Sequence, residues 1–167
     1  LQDYLNGFKN ALDDAQAARD NMEPKEMTNP DGTIESDVSH IIAADSLLSG
    51  TLEPLEATLS NLEYHLNSHK NDQWFEYNTV GHTGIWDSAM GYYNKITTTF
   101  SSYNHDDNDA PDADARRNFR IAVENARTSA EDFKTQVEDI MKNLWKWQAS
   151  ISPGITDIEN PYIGVVQ

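Results

Sequence analysis

Residues 111–151 read PDADARRNFRIAVENARTSAEDFKTQVEDIMKNLWKWQASI, and this stretch decides the fold. Its apolar side chains fall at alternating four and three steps: Phe119, Val123 (or Ala122), Ala126, Ala130, Phe133, Val137, Ile140, Leu144, Trp147 and Ile151. That period belongs to a helix burying one long stripe. Pro111 with Asp112 and Asp114 suits a helix start, because early carboxylates complement the helix dipole. Ser152-Pro153-Gly154 ends it. A helix of about forty residues spans roughly 60 Å, which sets the length of the molecule.

The same period recurs upstream. Leu1, Leu5, Phe8, Leu12, Ala15 and Met22, with Ala18 or Arg19 between, predict a helix over 1–22. A second helix is predicted over 37–70. Its seam is Ile41, Leu48, Leu52, Leu55, Leu59, Leu62, Leu66 and His69, and Gly50 and Pro54 place there either a break into two tandem helices at Gly50 or, as the unbroken register favours, a kink near 50–54. Proline removes one helical hydrogen bond, yet the leucine stripe keeps its register across it. Trp86, Met90, Tyr93, Ile96 (or Thr97), Phe100 and Tyr103 predict a third helix over 85–103, with Thr97, Thr98 and Thr99 as weak helix formers. Between these lie a loop at 23–36, rich in Pro24, Asn29-Pro30 and Asp31-Gly32, and an aromatic loop at 71–84 turning at Gly81-His82-Thr83-Gly84. An acidic linker covers 104–114. The expected fold is all-α: an elongated antiparallel four-helix bundle over residues 1–152 with an extended tail over 153–167.

Composition narrows the function. Twenty-eight acidic residues against twelve basic give a formal charge of −16. Such a field repels phosphate backbones and anionic lipid, so nucleic acid and membrane surfaces are not expected partners. There is no cysteine, which excludes thiolate metal sites and thiol nucleophiles. The longest apolar runs fall well short of the roughly 20 residues of a membrane span. Leu1 in the first position is what a processed or excised product would show.

Four groups of residues carry candidate chemistry. His65 and His69, one helical turn apart, can hold a divalent metal with Glu63 or Asp72 as a third ligand; the plainer reading is two imidazoles at the negative end of a helix. Asp106, Asp107 and Asp109 offer the oxygens calcium prefers, but without the central glycine and final glutamate of an EF-hand they read as a solvated charge run. No cofactor is expected beyond such a cation. Arg116, Arg117 and Arg120 open the last helix and should pair with the acidic linker. Trp74, Tyr77, Trp86 and Tyr93 would line a pocket if the chain were a sensor.

No Gly-x-Ser-x-Gly elbow or phosphate-binding loop is present, so an enzyme is not expected. Two classes remain: a structural or assembly subunit, or the extracytoplasmic sensing domain of a receptor. In a receptor the last helix would run on toward the membrane. Here Pro153-Gly154 stops it, and Ile155, Ile158, Tyr162, Ile163, Val165 and Val166 make an apolar arm suited to a neighbouring protein chain. The expected role is a self-associating subunit of an extracellular, cell-surface or virion assembly.

Overall fold

A computed structural model describes the backbone of residues 1–69, 80–102 and 107–151, and the side chains of 1–68, 88–99 and 107–140. These residues are mostly helical, with one small antiparallel two-stranded sheet. The order is α1 (Gln2–Asp20), β1 (Lys25–Thr28), β2 (Ile34–Asp37), α2 (Ser39–Leu47), a π-turn (Leu48–Leu52), α3 (Glu53–His69), α4 (Val80–Ser102) and α5 (Ala113–Ile151).

α1 and α5 form the most extensive contact, and small residues explain it. Ala11, Ala15 and Ala18 of α1 and Ala115, Ala122, Ala126 and Ala130 of α5 are buried, so the backbones approach closely around Phe8, Phe119 and Phe133. At Gly7 a Cβ would lie 2.9 Å from Ser129 Oγ, so a side chain there would force that hydroxyl to move. The helices run antiparallel: Gly7 meets Ser129, while the Glu23 N–H just beyond α1 donates to Asp112 just before α5, at 2.8 Å. α3 lies against α1 and α4, and α4 against α5. Lys9–Glu56 (3.6 Å) and Arg19–Asp45 (2.6 Å) tie α1 to the α2–α3 arm along its length.

The region expected as a loop at 23–36 holds most of the sheet, whose second strand runs on to Asp37, so the helix expected from 37 begins at Ser39. Lys25 pairs with Asp37, Glu26 with Ser36, Met27 with Glu35 and Thr28 with Ile34. Its turn chemistry is as the sequence suggests: Asn29 N donates to Thr33 O (2.8 Å), Gly32 N to Asn29 O (2.9 Å), and Gly32 takes φ +87°. Asp31 fixes the corner by accepting from the Thr33 N–H and hydroxyl. The strands escape a periodicity reading because neither buries a face; most of their residues are exposed.

The expected kink near 50–54 is a π-turn, in which Glu53 N–H reaches back five residues to Leu48 O. Pro54 has no N–H to give the Gly50 carbonyl, and Lys95 Nζ donates to it instead, at 2.7 Å. Leu48, Leu52, Leu55, Leu59, Leu62 and Leu66 are all buried. Upstream of the turn the fully buried stripe is His40, Ala44 and Leu47, with Ile41 partly buried against the same core. α4 begins at Val80, so Gly81-His82-Thr83-Gly84 lies within a helix; glycine lowers helix propensity by about 1 kcal/mol without forbidding it. The hydroxyls of Thr97, Thr98 and Thr99 fold back onto the carbonyls of Tyr93, Asn94 and Lys95.

Candidate functional site

The most chemically distinctive place lies where the hairpin meets the start of α5. Asp112 directly precedes α5 and is buried, with 1% of its side chain exposed; His40 on α2 and Arg116 on α5 are buried beside it. Asp112 Oδ2 accepts from Glu23 N–H (2.8 Å) and from His40 Nε2 (3.0 Å). The same Nε2 is 2.9 Å from the Glu23 carbonyl oxygen. Both of these oxygens only accept, so Nε2 carries the hydrogen and shares it between them. Arg116 Nε sits 2.8 Å from Asp112 Oδ1, an ion contact closed within one helical turn.

Burial alone would raise the Asp112 pKa. The Glu23 N–H, His40 and Arg116 outweigh it and hold the carboxyl below the ordinary aspartate range. Its place at a helix N-terminus acts in the same direction. The node therefore binds three segments through one carboxylate: the end of the α1 connection, α2 and α5. The imidazole nitrogen turned toward the carboxylate already serves two acceptors.

A second tie lies next to it. Lys25 Nζ pairs with Asp107, whose other oxygen accepts from Asp109 N–H (3.2 Å). The Lys25 ammonium, with that N–H, holds the Asp107 carboxyl below its usual range. Between the hairpin and this segment opens a cleft of about 440 Å³, lined by Glu23, Pro24, Lys25, Glu26, Ser36, Asp109, Ala110 and Pro111.

The residues singled out from sequence fall as follows. Asp107 is engaged with Lys25 and Asp109 is exposed; Asp106 is outside the described residues. His65 is half-buried on α3, and His69 is that helix's last residue, its side chain outside the described set. Among the described residues no group of three or more His, Asp or Glu side chains is placed to hold a metal ion. Arg116 and Arg117 do meet the acidic segment ahead of them, Arg117 through Asp114 (2.9 Å).

Tyr93 is half-buried on α4 and donates to Glu131 Oε1 (3.1 Å), with Lys134 stacked over its ring. The space beside it, among Leu55, Leu59, Ala130 and Phe133, is about 10 Å³, no more than a single water needs. Trp74, Tyr77 and the side chain of Trp86 lie outside the described residues, as do Ile155, Ile158, Tyr162, Ile163, Val165 and Val166. No described helix is long and apolar enough to cross a membrane.

Sequence reasoning missed His40, Asp112 as a buried anchor, and the hairpin they secure. One signal was available: His40 stands four residues before Ala44 and seven before Leu47, on the stripe that continues as buried leucines. No known protein family matches the chain, and neither a characterised protein nor a solved structure does.

Proposed function

We propose that the chain is a non-enzymatic structural subunit that assembles with neighbouring protein chains, in an extracellular, cell-surface or virion setting. Its body is an elongated antiparallel four-helix bundle, and its contacts run through the helical faces and residues 153–167. The observation that carries this reading is where the described apolar side chains go when they are not buried. Four of the six large exposed ones, Met27, Ile34, Val38 and Ile42, lie on the hairpin and the opening of α2. Scattered exposed apolar residues need no explanation, but here they gather on one element and on both sides of its ribbon, Met27 on one and Ile34 on the other, which suits an element open to contact. The polar groups are compatible with this reading, since Asp112 is engaged by the Glu23 N–H, His40 and Arg116 in joining three segments of the chain.

The test is removal of residues 153–167. The truncated chain should lose assembly, measured by light scattering over a concentration series, while circular dichroism retains the helix content. Normal assembly of the truncated chain would end the reading.

A further inference from the structure

We propose that the cleft between the hairpin and residues 107–111 docks an extended, basic segment of a different protein. The proposal rests on the reading of the chain as a protein-binding subunit, and adds to it a site separate from residues 153–167.

The hairpin itself calls for an occupant. A two-stranded ribbon is marginal in water, and stability normally needs a third strand or a packed face. Here the base of the ribbon is clamped, by Glu23 to Asp112 and by Lys25 to Asp107. Beyond that base the strands are exposed, and among the described residues no third strand pairs with them. The outer edge of β1 is thus mounted rigidly at one end and left open as a template for strand addition.

The register defines what a third strand would meet. Glu26 faces Ser36 and Thr28 faces Ile34, so these four side chains share one side of the ribbon. Glu26 and Ser36 line the cleft, and two residues further toward the turn the same side presents Ile34, 66% exposed. A carboxylate and an apolar surface therefore follow one another at the spacing of an extended chain.

Charge chooses the occupant. Glu23, Glu26 and Asp109 line the cleft, and its one cation, Lys25, is paired with Asp107. The ribbon of a second copy is no match for this edge, because its strands carry Glu26, Glu35 and Asp37 against the single Lys25. A segment alternating Lys or Arg with apolar residues would set its cations against Glu26 and Asp109 and an apolar side chain against Ile34.

The probe is a fluorescein-labelled short peptide alternating lysine with valine, titrated by anisotropy against the full chain. A second peptide carries glycine in place of valine, and a third carries glutamate in place of lysine. The lysine–valine peptide should bind; the glutamate peptide should not, and the glycine peptide should bind more weakly. Glu26→Lys with Asp109→Lys should weaken binding about tenfold or more at low salt. Ile34→Ser should weaken it about threefold to tenfold.

As a control, Asp132→Lys with Asp139→Lys makes the same change in net charge at exposed positions of α5. Equal losses from the two charge-reversed pairs, or equal binding of the lysine–valine and lysine–glycine peptides, would reduce the effect to bulk attraction and overturn the proposal. So would no binding of the lysine–valine peptide. Because the substituted hairpin positions are exposed, unchanged circular dichroism certifies that each variant is folded. Truncation of residues 153–167 should leave peptide binding intact, so failure of the assembly test and failure of this one are separate results.

Discussion

The middle of the molecule and its hairpin end are held together by opposite means. In the middle, Phe8, Phe119, Phe133 and Val137 are buried among alanines and leucines, and cohesion comes from apolar area and close contact. At the hairpin end the strands bury almost nothing, and cohesion is concentrated in one carboxylate, Asp112, that serves a backbone N–H, an imidazole and a guanidinium. The first kind of cohesion is spread over many side chains and is blind to pH. The second is local, breaks when a single group is removed, and depends on charge.

The sharpest test of that contrast carries the largest effects. Phe133→Ala should cost about 3–5 kcal/mol in urea unfolding, by lost burial and a residual cavity. Asp112→Ala should cost about 3 kcal/mol, because it strands a buried guanidinium and imidazole. The two should separate in acid. Asp112 is held below its ordinary value in the folded chain, so its contribution is complete above the unfolded value of about 3.9 and fades as pH falls through the lower native value. Between about pH 5 and pH 3 the cost of Asp112→Ala should shrink while that of Phe133→Ala holds. A pH-independent Asp112→Ala cost would show that the carboxylate's charge is not what secures this end.

This difference also explains what could be read from the sequence. Periodicity finds residues that share a face, and so it found Leu48 through Leu66 and Phe119 through Val137, all buried as their spacing implies. It cannot find partners that are polar and remote. His40 and Asp112 are 72 residues apart and Glu23 and Asp112 are 89 apart, with no repeat linking them. The hairpin failed for a related reason: a strand with no buried side has no alternation to detect, and only its turn, Asp31-Gly32, left a mark. Of the candidate site residues, the acidic run was legible as charge, yet the pairing of Asp107 with Lys25 depends on the hairpin that the sequence hid.

A smaller effect probes the close contact in the middle. Gly7→Ala should gain helix propensity of up to about 1 kcal/mol but meet Ser129 Oγ at 2.9 Å, and the net should be destabilising by about 1 kcal/mol. In a Ser129→Ala background the obstructing oxygen is gone, while the Ser129 Cβ position, 3.8 Å away, is an ordinary contact. There Gly7→Ala should become stabilising. Additive effects in this double-mutant cycle would mean that the helices separate freely and that the small residues do not set their distance.

The smallest effect concerns a polar tie in the middle, between α4 and the π-turn. Lys95 is exposed on α4, so its donation to the Gly50 carbonyl should be worth only about 1 kcal/mol. Its value depends on Pro54, which leaves that carbonyl without the usual helical donor. Pro54→Ala restores an N–H, and if the turn relaxes to an α-helix that N–H takes the carbonyl from Lys95. Lys95→Met should then cost about 1 kcal/mol in the parent chain and close to nothing in the Pro54→Ala background. Equal costs in both would show that the π-turn is held by the leucines packed beneath it, Leu48 and Leu52, and that the lysine only occupies a carbonyl the solvent would otherwise satisfy.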